Sequence, residues 1–405
     1  MHSSLSAESK EVLSKIDAVI SMISHMYSGG LGSVTDFNVC LRMVDTTDNT
    51  HFAQHMIDPA CGKGSILLAK IKRLIENGCD PETAVNLVHG VDIDQSQVDH
   101  AKVNIQRATG YLPDIICDNS LQREFNMKFD GYITNPPYKG QSMLHQQFFN
   151  LGVELVKDKG QVVCLQPATV YFNKKEDTDK HSQRMRDNIT NYHVVTEMIN
   201  PNIFENAKNR NDISITTITK KQSQPEIESI SYRSGKVYTN VKLEDVNRTE
   251  IEPTLYRSIV EKYKKLIAEN GCIYNIISKE KAVAKAKLAS MRGNGGGDDW
   301  YTFIPANKKY WTTDNEEGDW GIDTASHEEA MNVYNYLTTN AARFGLSIYK
   351  FSADMYGGAM NGVPIVDFSK TYTNDELYNI LGITEEERNA IDSSLPDYHE
   401  LKSNN

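Results

Sequence analysis

Four short β-rich runs in the first third of the chain each finish on or beside an acid or an amide. HFAQHMID (51–58) ends on Asp58, NLVHGVDI (86–93) carries Asp92, PDIICD (113–118) ends on Asp118, and FDGYITN (129–135) ends on Asn135. Helical stretches separate them. Ser65 to Asn77 places Ile66, Leu67, Leu68, Ile71 and Leu74 on one broad face, and Gln95 to Arg107 carries Val98, Ala101, Val103 and Ile105. A third helix is predicted over 143–156, and further strands over 161–167, 193–199 and 213–220. Strand–helix–strand repetition of this kind implies a parallel sheet covered on both faces. Ligands of such sheets bind beyond the carboxyl ends of the strands, which is where the acids and the amide fall.

The loop Asp58-Pro59-Ala60-Cys61-Gly62-Lys63-Gly64 follows the first run and opens the Ser65 helix. Glycines two apart let the backbone turn sharply and approach a ligand closely. A dinucleotide loop wants a third glycine, but position 67 is Leu; a P-loop wants Ser or Thr after Gly-Lys, but position 64 is Gly. ATP binding is therefore not expected. Asp92 suits the paired hydroxyls of a ribose. Ile93 beside it suits an adenine face, Asp118 the adenine amino group, and Asp58 a cationic amino group. Taken singly, each Asp reads equally well as a turn former. Three in order behind successive strands suit a nucleoside with a positively charged amino-acid tail.

Asn135-Pro136-Pro137-Tyr138 follows the fourth run. Two prolines stiffen the turn and present the Asn carboxamide and the Pro136 carbonyl rigidly at the sheet edge. Two fixed acceptors can hold both hydrogens of one planar amine, and Tyr138 offers a face for a ring. An Asn-Pro turn with a packing Tyr is the plainer alternative for the tetrapeptide alone.

In that order, DPACGKG, GVDID, DNS and NPPY resemble the amino-methylating DNA methyltransferases, as does HQQFFNLGVELVKDKGQVVCLQPATVYF (145–172) after them. The order is similar to the gamma arrangement, in which a C-terminal domain reads the DNA. The tail KTYTNDELYNILGITEEERNAID (370–392) is similar to closing segments of adenine methylases of restriction-modification and phage type. The resemblance spans about residues 50–220 and is loose elsewhere. It implies an α/β, Rossmann-like methyltransferase fold with a seven-stranded mostly parallel sheet, plus a C-terminal mixed α+β target-recognition domain.

Carried over by position, Asp58, Ala60, Gly62, Gly64, Asp92, Ile93, Asp118 and Asn119 would hold S-adenosyl-L-methionine, with Thr35 as a weaker upstream candidate. Asn135, Pro136, Pro137 and Tyr138 would hold the target adenine. Cys61 and Lys63 depart from the family, which more usually has small residues there. The expected reaction is direct transfer of a methyl group to the exocyclic amine of a flipped adenine, with no covalent enzyme intermediate. A cytosine carbon-5 methylase would need a nucleophilic cysteine, whereas Cys164 lies inside an apolar strand and reads as core.

The expected organisation is a catalytic domain over 1–224, its first 50 residues a helical part, and a DNA-binding domain over 225–405. The formal net charge of −11 looks wrong for a nucleic-acid partner, but it is unevenly spread. Residues 221–312 hold 16 Lys+Arg against 11 Asp+Glu, a net of +5, while 313–405 hold 5 against 17, a net of −12. Local charge decides phosphate contact. Lys281, Lys285, Lys287 and Arg292 lead into the glycines of 294–297, and Lys174 and Arg184 lie in a loop expected over 173–186, after the fifth run and basic in places; all six are candidate contacts to double-stranded DNA. A solvated Lys-rich face explains them equally well.

The six cysteines form no CxxC pair, so reduced thiols, a cytoplasmic setting and no metal site are expected. The first residues have no apolar run behind a basic start, so no signal peptide is expected. A cognate restriction enzyme is an expected partner. The competing expectations are methylation of RNA or of a protein glutamine amide, and a non-catalytic scaffold.

Overall fold

The computed structural model describes residues 5–27, 35–47, 54–137, 144–172, 179–199, 212–222, 225–278, 284–288, 320–349 and 357–395. The chain forms two compact units. The first takes residues 1–168, 177–208 and 212–240, and the second takes 169–176, 209–211 and 241–405.

The first unit opens with α1 (Ala7–Tyr27) and α2 (Phe37–Asp45), then runs β1 (Met56–Asp58), α3 (Ser65–Glu76), α4 (Pro81–Asn86), β2 (Val88–Asp92), α5 (Gln95–Thr109), β3 (Asp114–Cys117), β4 (Phe129–Thr134), α6 (Leu144–Leu155) and β5 (Val156–Pro167). After α7 (Thr169–Phe172), which belongs to the second unit, come α8 (Lys180–Asn191), β6 (Tyr192–Ile199), β7 (Ile213–Gln222), β8 (Ile227–Ser231) and β9 (Val237–Val241).

The strands lie in the order β3-β2-β1-β4-β5-β7-β6-β8-β9. The β1–β2, β2–β3, β1–β4 and β4–β5 pairs are parallel, β7 runs antiparallel to both β5 and β6, and β8 is parallel to β6. The α/β class and the mostly parallel sheet are as expected, but the sheet has nine strands rather than seven. The extra pair comes from a tight turn: Tyr232 N–H donates to the Lys236 carbonyl, and Gly235 adopts φ +88°. Those two strands also carry the first unit to Asn240, sixteen residues beyond the boundary expected at 224.

The fold positions a site for one reason. After β1 the chain winds outward through β2 and β3; after β4 it winds the other way through β5. β1 and β4 are therefore neighbours at the point where the strand order reverses, and the crevice beyond their carboxyl ends is the binding place of such sheets. The amphipathic faces hold this frame. Leu67, Leu68, Ile71 and Leu74 of α3 and Val98, Ala101 and Ile105 of α5 are all buried in one apolar core with Val88, Ile115, Ile133 and Val163 of the sheet. Each fully buried side chain of this size contributes about 1.5–3 kcal/mol.

The second unit has its own core, built on α9 (Pro253–Asn270), α10 (His327–Leu337), α11 (Asn340–Tyr349), α12 (Asn374–Leu381) and α13 (Glu385–Ser394). A three-stranded antiparallel sheet, β10 (Ile277–Ser278), β12 (Trp320–Thr324) and β11 (Ala284–Leu288), accompanies the helices, so this unit is mixed α+β. Thr373 with Glu376, and Thr384 with Glu387, form reciprocal capping boxes at the starts of α12 and α13. The buried Glu387 also accepts from Ser258 and Lys262 of α9. Arg248 lies over the Phe172 ring, 4.2 Å from its centroid, which is how α7 joins this unit. No described helix is long and apolar enough to cross a membrane.

Candidate functional site

The loop after β1 is shaped by its glycines. Gly62 (φ +50°) and Gly64 (φ +86°) both adopt left-handed backbone, which a side chain would strain. A Cβ on Gly64 would also sit 3.3 Å from the Cβ of Ala101 on α5, so this glycine lets the two helices approach. A Cβ on Gly62 would meet nothing within 4 Å, so its place in the loop faces open space.

Asp58, Thr134, Asp92 and Ser120 are among the side chains that brace that loop. Asp58 is 1% exposed, and its Oδ1 accepts from the Ala60 N–H at 3.1 Å and from the Thr134 hydroxyl at 2.8 Å. Burial pushes the Asp58 carboxyl up to about 7, against these hydrogen bonds and with the charge of Asp92 adding to the rise. Asp92 accepts from the Gly62 N–H at 2.8 Å and from the Asp94 N–H at 3.0 Å. Ser120 donates to the Pro59 carbonyl at 2.6 Å, tying the loop after β3 to the loop after β1. Asp118 pairs with Arg123 at 2.6 Å, and this guanidinium holds its carboxyl below the usual range. Asn119 accepts from the Leu121 N–H at 3.1 Å and so shapes the same turn.

The structure thus brings Asp58, Ala60, Gly62, Gly64, Asp92, Asp118 and Asn119 to the carboxyl ends of β1, β2 and β3. Ile93 joins them with an apolar side chain that is 72% exposed. The donor set fits S-adenosylmethionine. A carboxylate oxygen has room for more than one hydrogen bond, so Asp92 and Asp118 can accept from ligand hydroxyl or amino groups while keeping their backbone and Arg123 contacts. The exposed Ile93 suits a purine face, and a buried acid poised near neutrality suits a cationic amino group.

Asn135 lies one residue beyond β4 and is half-buried, with Pro136 buried and Pro137 exposed. Its Nδ2 donates to the hydroxyl of Thr35, the weaker upstream candidate for a cofactor contact, at 2.8 Å. That bond commits one end of the carboxamide as the donor, which makes Oδ1 the accepting end. Tyr138 lies outside the described residues. Cys164 is fully buried in β5, and burial raises its thiol well above the usual range, so it is a neutral core residue.

The basic candidates are dispersed. Lys174, Lys281 and Arg292 lie outside the described residues. Arg184 lies on α8 rather than in a loop, and pairs with Glu154 of α6 at 2.5 Å. Lys285 and Lys287 stand two apart on β11, at register positions opposite Asp323 and Gly321.

Sequence reasoning missed Thr134, Ser120 and Arg123. Thr134 and Ser120 lie inside the segments that were singled out, and a buried acid at the end of a neighbouring strand is the signal that a hydroxyl there needs. Arg123 follows Asp118 in an irregular segment, where no periodicity points to a pair.

Residues 33–152 match the family model described as N-6 DNA Methylase. The match encloses Thr35, the glycine loop, the three strand-end acids and Asn135. This segment is an adenine DNA methyltransferase domain of the S-adenosylmethionine-dependent kind. No curated protein matches the chain. Among solved structures, a type I restriction-modification methyltransferase subunit from Streptococcus thermophilus is 16% identical at a TM-score of 0.43, covering 62% of this chain and 57% of that one. The EcoKI M protein of a type I restriction enzyme is 14% identical at 0.40, covering 52% and 50%. The type ISP restriction-modification enzyme LlaGI, solved with a DNA substrate mimic, is 13% identical at 0.43, covering 60% and 31%. This chain therefore spans about half the length of the two subunits, and these likenesses are too distant to carry a function.

Proposed function

We propose that the whole chain is a site-specific DNA adenine-N6 methyltransferase of restriction-modification type, which flips its target adenine out of the duplex and methylates the exocyclic amine. The observation that carries this reading is the neighbourhood of β1 and β4. Thr134 binds Asp58, and the next residue is Asn135, so the amide that would grip an amine stands beside the loop that would hold the cofactor.

S-adenosylmethionine supplies, when bound, a methyl group activated by the positive charge on sulfur. The chain's own groups do the rest by placement. Asp58, Ala60, Gly62, Gly64, Asp92, Ile93, Asp118 and Asn119 would hold the cofactor. The adenine amine is a poor nucleophile because its lone pair is delocalised into the ring. Accepting its two hydrogens at the Asn135 Oδ1 and the Pro136 carbonyl favours the tetrahedral nitrogen that localises the pair. The amine is out of reach inside a duplex, so the base must leave the stack, and Tyr138 would support it by stacking.

The second unit is the proposed reader of the DNA sequence, with Lys281, Lys285, Lys287 and Arg292 on the phosphates and Lys174 and Arg184 contributing from the segment after β5. A restriction subunit is the proposed partner, and the cytoplasm the proposed setting. Labelled methyl transfer to duplex DNA, RNA and protein, followed by sequencing of the methylated DNA, tests the reading. N6-methyladenine at one recurring sequence supports it. Transfer to RNA or to a protein glutamine amide, with none to duplex DNA, overturns it.

A further inference from the structure

Asp118 stands one residue beyond β3, at the carboxyl ends of the strands. Its backbone N–H donates to the Asp92 carbonyl at 2.9 Å, which fixes it beside the end of β2. Its side chain is held by two bonds. Oδ1 accepts from the Asn119 N–H at 2.8 Å, and Oδ2 accepts from the Arg123 guanidinium at 2.6 Å. Each oxygen keeps a second lone pair for a further donor.

Arg123 is itself held at more than one point. Its backbone N–H donates to the Asn119 carbonyl at 2.9 Å, which closes the turn between them. Its guanidinium carbon lies 5.6 Å from the centroid of the Phe125 ring, and a cation over an aromatic face is attracted to it. Phe125 in turn meets Phe129, the first residue of β4, edge to face at 6.3 Å. The side chains of Arg123 and Asp118 are both partly exposed. An ion pair so placed stabilises a chain little, because water screens it and two side chains lose freedom in making it. Here the turn and the ring have already removed much of that freedom. The carboxylate is therefore set in one orientation before any ligand arrives, which lowers the cost of binding one.

We propose that Arg123 is a positioning residue for the cofactor, holding the Asp118 carboxylate as the acceptor for the 6-amino group of the cofactor's adenine; this rests on the assignment of Asp118 to the cofactor in the reading above. The guanidinium takes one lone pair of Oδ2 and leaves the carboxylate no freedom to turn its remaining lone pairs away. It also keeps the carboxyl below the usual range, so the group stays charged and only accepts. A charged acceptor rewards a ligand that brings an N–H and gives nothing to one that does not.

The test is calorimetric titration of the full chain with S-adenosylhomocysteine and with its analogue carrying hydrogen in place of the 6-amino group. Wild type should favour the amino form by about tenfold, the effect of one hydrogen bond to a charged group. Arg123→Met keeps the apolar stem and removes the donor. It should shrink the preference to about threefold or less, while the unliganded chain melts close to wild type. Arg123→Lys, which restores the charge without the planar fork, should recover part of the preference. In an Asp118→Ala background Arg123→Met should change nothing further. A folded Arg123→Met that keeps the full preference overturns the role of Arg123, as does an effect that persists undiminished without Asp118. A wild type indifferent to the amino group overturns instead the assignment of Asp118, and the proposal with it.

Discussion

Thr134 donates its hydroxyl to Asp58 across 2.8 Å, joining the last residue of β4 to the last residue of β1. One hydrogen bond thus links the strand that ends in the proposed base grip to the strand that opens the cofactor loop. Thr134→Val keeps the shape and removes the donor. It should lower stability by about 1–3 kcal/mol, the cost of leaving a buried acceptor short of a partner. It should also weaken S-adenosylmethionine binding at pH 7 more than at pH 8.5, because loss of the bond raises the Asp58 carboxyl further. Denaturant unfolding and calorimetry at the two pH values check both.

The Asp58 carboxyl, at about 7 where an ordinary Asp lies at 3.8, gives a pH dependence of definite sign. It is neutral below 7 and charged above, and a cationic amino group binds the charged form. Cofactor affinity should therefore rise from pH 6 to pH 8. Stability of the unliganded chain runs the other way. Between about 4 and 7 the unfolded chain has lost this proton and the folded chain keeps it, so this group's contribution falls as pH rises through that window. Asp58→Asn should flatten both profiles, and an affinity independent of pH in the wild type would refute the assignment.

Asn135→Ala should abolish methyl transfer, by about a hundredfold or more, while leaving cofactor affinity within a factor of two, because the amide acts on the amine and not on the cofactor loop. Thr35→Val, which removes the acceptor that orients the amide, should lower the rate less severely. Single-turnover transfer alongside cofactor titration separates the two effects. Full activity in Asn135→Ala would remove the residue from the chemistry.

Gly64→Ala forces a side chain into left-handed backbone and against Ala101. It should cost about 1–2 kcal/mol from the backbone conformation alone, with crowding in addition. Gly62→Ala carries the same backbone cost but no crowding, so its larger effect should fall on cofactor binding. Thermal melts with and without S-adenosylmethionine distinguish them.

Affinity for duplex DNA should fall steeply with salt, as phosphate contacts require. Replacing Lys285 or Lys287 by Ala should weaken binding to all sequences alike and reduce the logarithmic salt slope by about one each if both touch phosphate. Fluorescence anisotropy between low and physiological salt measures this; an unchanged slope in both variants would move the interface elsewhere.

The parts of the fold that bury an apolar stripe were plain from the sequence. α3 and α5 fall within two residues of their expected bounds because their buried faces recur with helical period. What lacked such a stripe was missed. β9 is Val-Tyr-Thr-Asn-Val and mostly exposed, and β8 alternates Ile with Glu and Ser, so neither shows an apolar run. α8 buries only Ser182, Met185 and Ile189 among polar residues, and its charges suggested a basic loop. The strand-end acids stood out because turns put them after apolar runs. Their present partners did not: Arg123 reaches Asp118 through irregular backbone, and the Gly62 amide reaches Asp92 only once β1 and β2 lie side by side.

The passage of the chain between its two units has a practical corollary for anyone dissecting it. α7 is built into the second unit although it follows β5 directly, and the chain then returns to complete the nine-stranded sheet. A single scission after Asn240 would separate Phe172 from Arg248. A fragment beginning at Val241 should hence express as a chain missing one of its own packing elements, and the two halves are better reassembled by co-expression than studied as independent pieces.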